Sequence, residues 1–98
     1  MHVDDLLQQG REIWGDDTLT LHEIIIRLCV VQGDLSRLER DRSENKPLNE
    51  TELQKELGNV IFSMIRWCND LGYDPKECVN LAIQAQIAYQ KRQENHKS

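Results

Sequence analysis

Three short stretches, LTLHEI, LNETEL and DPKE, carry helix-starting chemistry, and together they leave little room for a fold built from anything but helices. In the first, Thr20 can cap, Glu23 sits three residues later to return the bond, and Leu19 and Ile24 occupy the two positions of a hydrophobic staple. The second repeats the device, with Asn49 as cap, Glu52 as its partner and Leu48 against Leu53. In the third, Asp74 caps, Pro75 takes the first helical position and Glu77 the third.

Apolar residues then recur at steps of three and four. Ile24, Leu28, Val31, Leu35 and Leu38 predict one long helix, ending near Arg40 or Arg42 before the polar run DRSENKP. Leu53, Leu57, Val60 or Ile61, Met64, Cys68 and Leu71 predict the buried stripe of a second, which Gly72 is placed to stop. A shorter helix over about residues 3–14 precedes them, and a fourth follows Asp74 and frays in KRQENHKS. EIIIRLCVV is rich in strand-favouring residues, yet the caps and stagger around it assign it to helix. The expected architecture is all-α: an antiparallel hairpin of two long helices flanked by shorter ones, in one domain over 1–98, with a four-helix-bundle core completed by oligomerisation.

Composition supports that expectation and narrows the partners. With 39% hydrophobic residues, five aromatic side chains and 30% charged residues in 98, one chain has limited means to cover its own apolar faces, so a homodimer or a tetramer is expected. A net charge of -5 opposes binding to nucleic-acid backbones and anionic membranes. Cys29, Cys68 and Cys78 are odd in number and lie among apolar helical positions, which predicts buried thiols. No apolar run has the length of a signal peptide or a membrane span, and a cytoplasmic location is expected.

The long helices also carry residues that packing alone does not ask for. Gly33-Asp34 and Gly58-Asn59 each set a glycine before a short polar residue in mid-helix, at about 1 kcal/mol of propensity apiece, which points to a close helix approach or room for a ligand. Glu52, Glu56, Asn59, Ser63, Arg66 and Asp70 form a continuous polar line on one helix. Asp34, Glu56 and Asn59 facing one another would offer oxygen donors for Mg2+ or Mn2+. The same spacing also describes a hydrated stripe in which Arg66 balances Asp70.

ELQKELGNVIFSMIRWCNDLGYDPKECVNLAIQAQ resembles the central part of the MazG-like, all-alpha nucleoside triphosphate pyrophosphohydrolases, and the similarity extends back through VVQGDLSRLERD and REIWGDD. The resemblance implies magnesium held by an ExxE and an ExxD motif, cleavage of a nucleoside triphosphate between its alpha and beta phosphates, and sites close to subunit contacts in dimers or tetramers. Carried onto this chain, the motifs fall on Val31 and Asp34 and on Glu56 and Asn59, so two of four carboxylates remain. Ala85 and Gln86 stand about where the family often has Lys and Asn.

Two functions follow as expectations. One is a divergent, Mg2+-dependent nucleoside triphosphate pyrophosphohydrolase in which Asp34 and Glu56 ligate metal and Asn59 orients water or phosphate. The other is a catalytically silent helical module that binds a nucleotide or a protein partner, or regulates one.

Overall fold

Each expected helix start forms, giving α1 (Val3–Trp14), α2 (Leu21–Ser43), α3 (Glu50–Asp70) and α4 (Pro75–Lys97). The computed structural model describes residues 1–97, and side chains through Asn95. At the start of α2, Thr20 Oγ1 accepts the Glu23 N–H at 3.2 Å, and the Glu23 carboxylate accepts the Thr20 N–H at 3.1 Å. Asn49 caps α3 by accepting the Glu52 N–H at 3.0 Å. Glu52 turns its carboxylate to Lys55 Nζ, 2.9 Å away, instead of back to the cap, because an ammonium one turn along competes for it. Asp74 Oδ1 accepts the Lys76 N–H at 2.9 Å, and Pro75 follows it into the first turn of α4.

Two helix ends share one device. After α3, Gly72 at φ 84° lets its own N–H reach Asn69 O at 3.0 Å and the Tyr73 N–H reach Cys68 O at 2.9 Å. After α2, Asn45 at φ 65° does the same, with the Lys46 N–H on Asp41 O at 3.0 Å. That asparagine carries α2 a turn-fraction beyond the expected Arg40 or Arg42. The fourth helix differs more: at 23 residues it is not a short flanking element, and it stays helical through Lys97, with Ser98 outside the described residues.

The third helix is the spine, and α1, α2 and α4 each pack on it. The loop over residues 44–49 turns α3 back along α2, so that Leu19 before α2 bonds Asp70 at the far end of α3. Ile24, Leu38 and Trp67 form the buried apolar core, beside Trp14 and Phe62, whose rings meet at 5.0 Å and 47°. Val31 and Leu35 are half-buried against it.

The face that α3 turns inward is not the expected one. Glu56, Ser63 and Trp67 are buried, with Val60 half-buried between them, while Leu57 is 49% exposed, Ile61 62% and Met64 40%. The two stripes differ by one residue, about 100° around the helix, and periodicity alone finds both without saying which meets the neighbours. Cys29 is exposed and Cys68 and Cys78 are half-buried, which corrects the expectation of three buried thiols. Burial, and then the nearby Cys78, push the Cys68 thiol above its ordinary pKa. A Cβ on Gly33 or Gly58 would meet nothing within 4 Å, so neither glycine serves a close helix approach within the chain. Among the described residues, no helix is long and apolar enough to cross a membrane.

Candidate functional site

The antiparallel run of α2 and α3 leaves a cleft of about 210 Å³, which Trp14 of α1 also lines. Arg27, Val31 and Asp34 enter from α2 at helical spacing, and Asn59, Ser63, Arg66 and Trp67 enter from α3. Asp34 and Asn59 therefore do share a cavity, as the sequence suggested. Asp34 is half-buried, and Asn59 accepts a long hydrogen bond of 3.4 Å from the Ser63 hydroxyl one turn on.

Glu56 stands apart from them. It is buried, yet it does not line the cleft, and its carboxylate lies 3.5 Å from Lys55 Nζ. Val31 contributes only hydrocarbon to the wall. The cleft thus offers one carboxylate, one amide and one hydroxyl, with two guanidinium groups nearby. Among the described residues, no group of three or more His, Cys, Asp or Glu side chains is placed to hold a metal ion. This corrects the reading of the chain as a magnesium-dependent, nucleotide-binding hydrolase: a hard cation asks for several convergent oxygen donors, and the donors here do not converge.

Arg66 is better occupied than a free ligand-binding cation would be. Its Nε lies 3.3 Å from Asp70 Oδ2, with the two side chains 15% and 5% exposed. The guanidinium also sits 4.5 Å from the Trp14 ring centroid and donates to Asp17 O at 3.3 Å. Asp70 in turn accepts the Leu19 N–H at 3.2 Å. The pair pins the α1–α2 connection and the Trp14 ring to the end of α3, a structural role for the lower half of the polar line. The sequence showed the Arg66 and Asp70 spacing, but nothing in it indicated that Asp17, Leu19 and Trp14 would be their partners.

A second, wholly different surface lies one face around α3. Val60, Ile61, Met64 and Ile65 meet Val3 of α1 and Pro75 and Val79 of α4 in an apolar groove of about 480 Å³. No family model, no curated protein and no solved structure matches the chain.

Proposed function

We propose that this chain is a helical interaction module that works as a homo-oligomer, a dimer or a pair of dimers, through apolar helix faces it cannot cover alone. The amount of surface left open carries the reading. A folded monomer of 11.5 kDa has an accessible area of about 5,800 Å² by the usual size scaling. This chain has 7797 Å². The excess is roughly 2,000 Å², more than twice the ~800 Å² per partner of an ordinary stable interface.

The radius of gyration supports the same conclusion, at 17.0 Å where about 12.5 Å is usual for this length. Large apolar side chains contribute to the open surface: Leu21, Ile25, Ile26 and Val30 on α2, Leu57 and Ile61 on α3, and Val79, Leu81, Ile83, Ile87 and Tyr89 on α4 are each at least 49% exposed. Contiguous apolar patches mark association surfaces in stable proteins. Sedimentation velocity of the full chain across a concentration series is the test. A mass of about two or four times 11.5 kDa at micromolar concentration is the expected result. A chain that sediments as a monomer throughout would reject it.

A further inference from the structure

We infer that α4 is an exchanged arm: residues 79–95 of one copy lie in the apolar groove along α3 of a second copy, and the second copy returns the same contact. The inference rests on the homo-oligomer proposed above and names the element that makes it.

The side chains of α4 from Val79 through Asn95 are exposed, so beyond its first turn the helix is largely uncovered by its own chain. Its apolar side chains are not confined to one stripe. Val79 and Ile83 point one way, Leu81 and Ala88 nearly opposite, and Ala82 and Tyr89 between them. Apolar side chains set at several angles between the polar positions Asn80, Gln84 and Gln86 give the helix contacts to offer on more than one side. After the four-residue connection 71–74, with Gly72 left-handed, Pro75 and Cys78 are the only described side chains of α4 that are not exposed, and Leu57, Ile61, Met64 and Leu71 of α3 are exposed as well.

Arm and groove are thus both exposed on one chain, and a two-fold pair covers both at once, as an isologous contact requires. The lengths match. Residues 79–95 extend about 25 Å and the α3 stripe from Leu57 to Leu71 about 21 Å, at 1.5 Å per residue. The charges match too. Residues 79–95 hold two basic residues and one acidic residue, net +1, whereas residues 1–74 hold eight basic and fifteen acidic, net -7. A positively charged arm meeting an acidic body favours a second copy of this chain over a neutral or acidic foreign helix.

The test uses two full-length variants. Ile83→Glu with Ile87→Glu spoils the arm, and Ile61→Glu with Met64→Glu spoils the groove. All four residues are exposed in the single chain, so helicity by circular dichroism should remain at the wild-type level in both. Each variant alone should dimerise at least ~1,000-fold more weakly than wild type, because each symmetric dimer loses four buried apolar side chains. Mixing the two should restore a 1:1 heterodimer tighter than either homodimer, since the sound arm of one then meets the sound groove of the other. If wild type is dimeric and the arm variant dimerises equally well, or the mixture gains nothing, the exchanged arm is wrong while self-association stands. A monomeric wild type would overturn both.

Discussion

Replacing Asp70 by alanine offers the sharpest probe of the polar line inside the fold. The substitution strips Arg66 of its carboxylate, 3.3 Å away, and the Leu19 N–H of its acceptor, 3.2 Å away. With side chains 15% and 5% exposed, this pair is far from a surface salt bridge. Loss of a hydrogen-bonded charge partner costs about 1.5–3 kcal/mol and loss of the backbone acceptor about 1 kcal/mol more. The guanidinium keeps its contacts to Asp17 O and the Trp14 ring, which holds the expected total near 3 kcal/mol, at the lower edge of what broken buried pairs cost. For a domain of this size that is a fall in Tm of roughly 12–24 °C. Urea denaturation at one fixed protein concentration gives the free energy directly, and the fixed concentration removes mass-action effects of association. Asp70→Asn keeps an acceptor for the Leu19 N–H and should lose less than half as much. A loss below ~0.5 kcal/mol for the alanine variant, the range of ordinary surface changes, would refute the clamp.

Other outcomes follow from the same structure. Gly33→Ala should stabilise the chain by about 0.5–1 kcal/mol in thermal denaturation, since the new methyl enters open space in a helix interior; destabilisation would mean that a neighbour approaches this glycine after all. Thr20→Ala should cost about 1 kcal/mol by removing the cap of α2, again by urea titration. Hydrogen bonds from the Thr20 backbone and then its hydroxyl hold the Glu23 carboxyl below its ordinary pKa. Its stabilising effect is therefore present above the unfolded-state value and lost as pH falls through the lowered folded one, and Glu23→Gln should flatten that part of an acid titration of stability. Dimer dissociation should quicken with added salt if the net +1 arm meets the net -7 body, and an affinity indifferent to ionic strength would count against that pairing.

Much of the fold was legible because helix starts are local chemistry. Thr20 with Glu23, Asn49, and Asp74 with Pro75 set three beginnings, and Gly72 one end, without reference to anything distant. The role of each face was not legible. Leu57, Ile61 and Met64 make as regular a stripe as Glu56, Ser63 and Trp67, and only the docking of α1 and α2 decides that the second turns inward. The interior is thus partly polar and the exterior partly apolar, an inversion that a helix periodicity does not express. The candidate site was legible in part for the same reason. Asp34 and Asn59 line one cleft between two helices that a short loop joins, whereas Glu56, one turn from Asn59 in sequence, lies outside it. The length of α4 was understated because its charged end, KRQENHKS, looks like a tail when no neighbour is in view.

Amide hydrogen exchange along residues 79–95 bears most directly on whether the uncovered helices are association surfaces. An arm of 17 residues whose side chains are exposed is a marginal helix in water and exchanges quickly. At concentrations where the chain is associated, strong protection should run through Val79, Ile83 and Ile87 and through Leu57–Met64 together, and it should vanish in step on dilution. Fast exchange in α4 at every concentration, with the α3 stripe unchanged, would contradict the account.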